Sequence, residues 1–250
     1  MPYEMIEEGL QTEVMSDVPQ VAAVSARGLF KQYIGGDGGV IHVLEGVDLE
    51  LAPGEAVAII GESGTGKSTL LHILGGLDRP STGEIEIGGH SLPGLSDEAL
   101  TRLRNEQLGF VFQFHHLLRE FTAVENVMMP LLLAGVGWQP ARERARDLLA
   151  RVGLDRRFEH KPGQLSGGEQ QRVAVARALV GRPVVVLADE PSGNLDPETG
   201  ERLHDVLLEA CRERDAAMVL VTHNRELAAR ADRVLRLESG QLLPAHAAPR

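Results

Sequence analysis

One stretch decides the fold of this chain: Gly61-Glu62-Ser63-Gly64-Thr65-Gly66-Lys67-Ser68-Thr69. It fits the pattern G-x-x-x-x-G-K-[ST], in which a glycine turn joins a strand to a helix. The short apolar run from Glu55 to Ile60 predicts the strand, and the residues from Lys67 to about Leu77 predict the helix. The stretch therefore predicts an α/β core.

The same nine residues predict a phosphate site. Successive backbone N–H groups in a glycine turn form an anion-binding concavity, and the helix that follows adds its positive end. Lys67 can bridge the β- and γ-phosphates of a nucleoside triphosphate, and the hydroxyl of Ser68 can bind Mg²⁺. For this motif taken alone, a plain strand-to-helix turn remains the alternative.

The composition excludes several classes of protein. The formal net charge of −11 over 250 residues argues against a general nucleic-acid binder. The longest apolar stretch, from Val127 to Val136, contains Pro130 and is shorter than the ~18 residues that span a bilayer. The acidic N-terminus does not resemble a secretory signal. Cys211 is the sole cysteine, which permits no internal disulfide and suits a reducing compartment.

The chain is expected to hold a single domain over residues 21–243, with tails at 1–20 and 244–250. Residues 1–20 are acidic and lack periodicity, which favours a disordered tail over a regulatory arm. Val21–Tyr33 and Ile41–Leu51 predict two strands. The glycine-rich run at 35–39 predicts a hairpin connection between them, because no lysine and no helix follow it.

The middle of the chain, from about 95 to 165, predicts a helical subdomain inserted in the α/β core. One helix is expected from Pro140, with an apolar face, and Gly153 can close it in a left-handed conformation. Alternation of strands and helices then resumes, with strands at Val184–Leu187, Met218–Thr222 and Val234–Leu237 and helices at Pro197–Glu213 and Arg225–Arg230. Parallel strands of this kind bring their ligand-binding loops to the carboxyl ends.

Two carboxylates follow the apolar strand at 184–188. We assign Asp189 to the Mg²⁺ shell and Glu190 to the general base that polarises the attacking water. Seen alone, two adjacent acids could merely be solvated.

A second glycine turn lies about a hundred residues after the first, at Leu165-Ser166-Gly167-Gly168-Glu169-Gln170. Ser166 and Glu169 have the spacing of a capping box, and a helix N-terminus is itself an anion site. Since 61–69 already supplies one phosphate site, the second is most simply explained if it faces the nucleotide held by another copy. A capped helix without a ligand is the alternative.

The two glycine motifs, in this order, resemble the ATP-binding cassette (ABC) family of transport ATPases over nearly the whole chain. The resemblance implies a P-loop NTPase (RecA-like) core with an antiparallel β subdomain and an inserted α-helical subdomain. It implies ATP and Mg²⁺ as cofactors. It also implies a head-to-tail dimer of two copies that sandwiches two ATP molecules, so that residues 165–170 contact ATP in trans and Ser166 and Gly168 meet its γ-phosphate.

The resemblance assigns four further residues. Tyr33 stands where family members stack an aromatic ring on adenine, although packing against the sheet is the alternative. Gln113 ends a strand at 109–112 and reaches the Mg²⁺ or the water, unless it is a surface glutamine. Asp196 belongs to the loop that runs between protomers and is equally a good helix start. His223 matches the histidine at the γ-phosphate, and together with Lys67, Gln113 and Glu190 it completes the expected catalytic set.

Two segments narrow the resemblance. Gly75-Gly76-Leu77-Asp78 and Ala188-Asp189-Glu190-Pro191-Ser192-Gly193-Asn194-Leu195-Asp196 look like the mechanotransmission branch of the family. The segments at 113–118 and 121–127 look most like its lipoprotein-releasing ATPases, with macrolide-export and cell-division cassettes as alternatives. This implies integral membrane partners of the LolC/LolE type, no nucleic acid, and a peripheral location at the cytoplasmic face of the bacterial inner membrane.

The sequence departs from the family pattern at three places. Arg119 replaces a frequent proline, Gln170 a common arginine and Asn224 a usual aspartate. None of these removes a catalytic group. His115 and His116 are not expected to hold a metal, because adjacent residues on an extended segment point apart.

Two other classes of function remain. A soluble ABC protein acting on DNA or the ribosome would usually carry two cassettes or a long coiled coil. A nucleotide binder without hydrolysis would not need Asp189, Glu190 and His223 together.

Overall fold

The computed structural model describes residues 21–36 and 38–245, which form two sheets and seven α-helices. The strands are β1 (Val24–Ile34), β2 (Val40–Leu51), β3 (Ala56–Ile60), β4 (Thr82–Ile87), β5 (His90–Ser91), β6 (Leu108–Val111), β7 (Val185–Asp189), β8 (Ala217–Val221), β9 (Arg233–Glu238) and β10 (Gln241–Pro244). The helices are α1 (Lys67–Leu74), α2 (Asp97–Gln107), α3 (Ala123–Leu133), α4 (Trp138–Arg151), α5 (Gly167–Leu179), α6 (Pro197–Arg212) and α7 (Arg225–Ala228).

The first sheet is antiparallel and has the order β2-β1-β4-β5. β1 and β2 form the predicted hairpin, with Ile34 paired to Val40 across the glycine-rich connection. β4 and β5 were not predicted, because β4 is a short run with only two buried side chains and β5 has two residues. A pattern of that length is too short to establish the period of a strand.

The second sheet has the order β10-β9-β3-β8-β7-β6 and is parallel except for β10. Its central strands are buried on both faces, as continuous apolar runs predict. In β3, Val57 and Ile59 face a core shared with α1 and the antiparallel sheet, whereas Ala56 and Ala58 face the core of the helical region. Because β3, β6, β7 and β8 are parallel to one another, their carboxyl ends meet at one edge of the sheet.

The helical region is built around α3, α4 and α5, which pack on one another. Thr122 and Glu125 form a capping box at the start of α3. α4 begins at Trp138, two residues before the predicted start, since Pro140 falls in the first turn, where its missing N–H would have no partner. Gly153, at φ +74°, follows α4 as expected.

Some boundaries differ from the sequence prediction. α1 ends at Leu74 rather than about Leu77, because Gly75 and Gly76 follow and Gly76 adopts φ +60°. β6 begins and ends one residue before the strand expected at 109–112, and although it lies within the range of about 95–165 expected to form the helical subdomain, it pairs with β7 in the parallel sheet. Pro244, expected to begin a tail, ends β10 opposite Leu235.

The predicted acidic tail at 1–20 and residues 246–250 lie outside the described residues. Within the described ranges, no helix has both the length and the apolar character needed to cross a membrane.

Candidate nucleotide-binding site

An open cleft of about 520 Å³ lies where the parallel strands end. Its walls come from the loops after β3, β6, β7 and β8 and from one residue of β2, Val43. The sequence-predicted residues that line it are Gly61, Ser63, Gly64, Gly66, Lys67, Ser68, Thr69, Gln113, Asp189, Glu190 and His223. The fold therefore brings together groups that are as much as 162 residues apart in the chain, from Gly61 to His223.

The glycine loop is shaped for close approach to a ligand. Gly66 stands at the N-cap of α1 with φ +100°, and no side chain caps this end of the helix. A Cβ on Gly66 would lie 2.7 Å from Cγ1 of Val43, and one on Gly61 would lie 2.6 Å from the carbonyl oxygen of Leu237. The Lys67 ammonium donates to the carbonyls of Gly61 (2.9 Å) and Glu62 (2.7 Å), so it lies across the loop.

Asp189 lies beside the phosphate loop at the end of β7. Burial raises the pKa of Asp189, a hydrogen bond from Ser68 opposes that rise, and the charge of Glu190 adds to it. A hydroxyl and a carboxylate in contact at one end of the cleft are oxygen ligands of the kind that Mg²⁺ takes. The residues present thus fit the predicted metal site.

Glu190 is held in an unusual backbone conformation, at φ +45°. Its N–H donates to the carbonyl of Val221 (2.9 Å), and its own carbonyl accepts from the N–H of Gly193 (2.9 Å). Its carboxylate lies 2.8 Å from Nδ1 of His223 and accepts from the Thr222 hydroxyl at 3.3 Å. Strained backbone of this kind concentrates at functional sites, because the surrounding structure has to enforce it.

Gln113 is tied to the loop after β7. Its side-chain amide donates to Oδ1 of Asn194 (3.3 Å), and the Asn194 amide donates to the Gln113 carbonyl (3.0 Å). A Cβ on Gly193 would lie 2.9 Å from the same glutamine nitrogen. Asp196, further along this loop, caps α6, and the hydrogen bond from the Thr199 N–H lowers the pKa of its carboxyl.

The second glycine turn forms the predicted capping box. Ser166 Oγ accepts from the N–H of Glu169 (3.2 Å), and the Glu169 carboxylate accepts from the N–H of Ser166 (2.8 Å) and from Nε of Arg157 (2.8 Å). Ser166 and Gly167 are exposed. None of residues 165–170 lines the cleft described above, so within one chain the described structure does not bring the two glycine turns together.

Tyr33 lies beside the phosphate loop rather than in the lining of the cleft. Its hydroxyl donates to Oδ2 of Asp78 (2.6 Å) and also hydrogen-bonds with the side chain of Thr69. The sequence had pointed to Asp78 only as part of a subfamily motif, and its contact with Tyr33 was missed. The contact of Asn194 with Gln113 was likewise not predicted, because Asn194 was noted only as part of a motif.

The two adjacent histidines connect the segment after Gln113 to α5. The ring of His115 hydrogen-bonds with the buried Gln171, and the carbonyls of His115 and His116 both accept from the guanidinium of Arg177 at 2.8 Å. Burial lowers the pKa of Arg177. These histidines thus join two elements through contacts with α5.

Comparisons with known proteins identify the family of this chain. The family model described as ABC transporter matches residues 44–193. The lipoprotein-releasing system ATP-binding protein LolD of Geobacter metallireducens is 56% identical over 203 residues, covering 81% of this chain and 90% of that protein. The LolD protein of Xanthomonas axonopodis is 53% identical over 232 residues, covering 93% and 95%.

Among solved structures, the dimeric bacterial ABC transporter cassette MJ0796 matches with a TM-score of 0.80 and 40% identity over 88% of this chain and 96% of that one. A second structure of MJ0796 is a dimeric post-hydrolysis state bound to ADP and Pi, with the same scores. The predicted P-loop core, with its antiparallel sheet and inserted helices, is confirmed. The chain therefore belongs to the ABC transporter family and is an ATP-binding, ATP-hydrolysing cassette of it.

Proposed function

We propose that this chain is the ATPase subunit of an ABC complex that releases lipoproteins from the bacterial inner membrane. The proposed ATP hydrolysis is supported by the cleft in which Lys67, Ser68, Asp189, Glu190 and His223 meet. The lipoprotein substrate is supported by relatives named for lipoprotein release that are 53–58% identical to this chain.

In this proposal the phosphates of ATP bind the amides of the loop at 61–66 and the start of α1. Lys67 bridges the β- and γ-phosphates, and Ser68, Asp189 and Gln113 would hold Mg²⁺, which would neutralise charge on the phosphates. Glu190 accepts the proton of the attacking water. His223, in contact with the Glu190 carboxylate, keeps that carboxylate in place and reaches the γ-phosphate.

The dimer follows from the position of the second glycine turn. Ser166 and Gly167 are exposed and outside the chain's own cleft, and a second copy packed head to tail would bring them to the ATP of its partner. Both solved structures of MJ0796 are dimeric. Closure of such a dimer on ATP would pull docked membrane subunits together, and hydrolysis would reset it.

The surface for the membrane subunits is proposed to be the segment from Phe114 to Phe121. Phe114 is 65% exposed, and Leu118 and Phe121 are also exposed. His115 and His116 contact α5, the helix that begins at the second glycine turn. Through these contacts a movement of this segment would be transmitted to the turn that is proposed to face the ATP of the partner copy. We place the subunit at the cytoplasmic face of the inner membrane, bound through partners of the LolC/LolE type.

A capture experiment tests the substrate. Tagged Glu190→Gln protein is held closed with ATP in native membranes, and the captured membrane subunits are identified by mass spectrometry. The double variant Lys67→Ala/Glu190→Gln is the control, since it is not expected to close. Recovery of a four-helix pair with large periplasmic domains and bound lipoprotein supports the proposal. Recovery of a macrolide-export or cell-division permease is consistent with the proposed ATPase mechanism but contradicts the proposed lipoprotein substrate.

A further inference from the structure

The aromatic ring of Tyr33 is held by a small charged cluster outside the cleft. Lys31 and Tyr33 are two residues apart on β1 and so lie on the same face of the strand. Asp78, which follows α1, accepts from Lys31 Nζ at 2.7 Å through one carboxylate oxygen and from the Tyr33 hydroxyl at 2.6 Å through the other. The contacts join β1 of the antiparallel sheet to the segment that follows α1, the phosphate-loop helix.

The cluster is fully bonded. Asp78 Oδ1 also accepts from the N–H of Arg79 (2.7 Å), and Lys31 Nζ also donates to the Arg79 carbonyl (2.6 Å). Lys31 is 9% exposed, so this ammonium is largely withdrawn from water and its bonds are strong. The hydrogen bond to Asp78 raises the pKa of Tyr33, which keeps its hydroxyl protonated as a donor.

The same cluster sets which face of the ring a ligand can use. The Lys31 ammonium lies over the Tyr33 ring, 4.7 Å from its centroid, as a cation–π contact. The tyrosine is nevertheless 41% exposed, so a planar group can stack on the ring from the side that the ammonium leaves uncovered. The Tyr33 hydroxyl also interacts with the side chain of Thr69, next to Ser68, which places the ring beside the phosphate loop.

We infer that Asp78 is a positioning residue for the base of the nucleotide, which acts by fixing the Tyr33 ring with the help of Lys31. The inference rests on the proposed ATP-binding function and on the expectation from the family resemblance that adenine stacks on Tyr33. It adds that part of the affinity for ATP depends on a carboxylate that touches neither the base nor the phosphates. Asp78 orients the ring in advance, so that less ordering is required when the base binds.

The test compares a ligand that has a base with one that has none. Dissociation constants for Mg·ATP and for Mg·tripolyphosphate are measured by calorimetry on the full chain and on the variant Asp78→Asn. We expect Asp78→Asn to weaken ATP binding roughly fivefold to tenfold. We expect its affinity for tripolyphosphate to stay within about twofold of the unmodified chain. A general loss of structure would weaken both ligands equally and would overturn the inference.

A second variant separates positioning from stability. Tyr33→Leu removes the ring, and in that background Asp78→Asn should cause no further loss of ATP affinity. A further loss in that background would show that Asp78 acts other than through Tyr33. If the unmodified chain binds ATP no more tightly than tripolyphosphate, the expected stacking of adenine on Tyr33 fails as well. If Tyr33→Leu weakens ATP binding and Asp78→Asn alone does not, only the positioning role fails.

Discussion

Glu190 combines an exposed histidine partner with a strained backbone, and both features bear on its proposed role as the general base. The variant Glu190→Gln keeps the size of the side chain but cannot accept a proton at neutral pH. We expect ATP binding to be retained and turnover to fall by at least about 100-fold, the usual contribution of a positioned base. Steady-state phosphate release and nucleotide affinity are the two measurements.

Lys67→Ala is the matched control for that prediction. It removes the ammonium that lies across the phosphate loop, so it should weaken ATP binding itself, by roughly tenfold or more. Turnover near the normal rate in Glu190→Gln would contradict the base assignment. Unchanged nucleotide affinity in Lys67→Ala would contradict the phosphate contact.

His204, on α6, makes the stability of the folded chain depend on pH. It is 3% accessible, and within the described structure its Nε2 has no hydrogen-bond partner. Burial lowers the pKa of His204 from 6.5 to about 4, with the charge of Arg230 adding to this and that of Asp205 opposing it. The unfolded chain therefore takes up a proton at a higher pH than the folded chain does.

This difference makes the folded state less stable as the pH falls from 6.5 toward 4. The stabilisation is fully present above the unfolded pKa and is lost on acidification, because only the unfolded chain is then protonated at this site. We expect a loss on the order of 2 kcal/mol. Urea unfolding at pH 7 and pH 4.5 should show a smaller change in His204→Leu than in the unmodified chain. Equal changes in the two proteins would contradict the prediction.

At the scale of elements, the start of α5 packs tightly against the start of α6. A Cβ on Gly168 would lie 2.4 Å from Cγ2 of Thr199, a distance that real structures do not allow. Gly168→Ala should therefore destabilise the chain by about 1–3 kcal/mol through overpacking. Thermal unfolding measures the loss.

Thr199→Ser removes the methyl group that a Cβ at Gly168 would overlap, so it should rescue the stability lost in Gly168→Ala. The double variant Gly168→Ala/Thr199→Ser should recover most of the stability, because the nearest remaining atoms are 3.8 Å and 3.9 Å from the new Cβ. If Gly168 contacts ATP in trans, the double variant should still hydrolyse ATP more slowly than Thr199→Ser alone. Equal rates would mean that the glycine is needed only for packing.

The elements that the sequence predicted well are those whose signals are local. The strand before the phosphate loop, the capping box at Ser166 and the two acids at the end of β7 each occupy fewer than ten consecutive residues. The contacts of Tyr33 with Asp78 and of Gln113 with Asn194 join residues 45 and 81 positions apart. Such pairs depend on how sheets and loops meet, and no short pattern in one sequence specifies them.

At the scale of the whole molecule, the central question is whether the second glycine turn serves the chain's own ATP or that of a partner. Ser166 is exposed and lies outside the cleft, which favours the partner. In a head-to-tail dimer, each site takes the phosphate loop of one copy and the second glycine turn of the other. Two inactive variants can then complement each other only if the sites are shared.

The complementation uses Lys67→Ala, which disables the phosphate loop, and Ser166→Arg, which blocks the second glycine turn. A mixed dimer keeps one intact site, formed by Lys67 of the second variant and Ser166 of the first. In an equal mixture about a quarter of the sites should be intact, if the copies pair at random. We expect ATPase activity above that of either variant alone, with thermal unfolding confirming that both fold. If each turn served its own chain, the mixture would contain no intact site and activity would not recover.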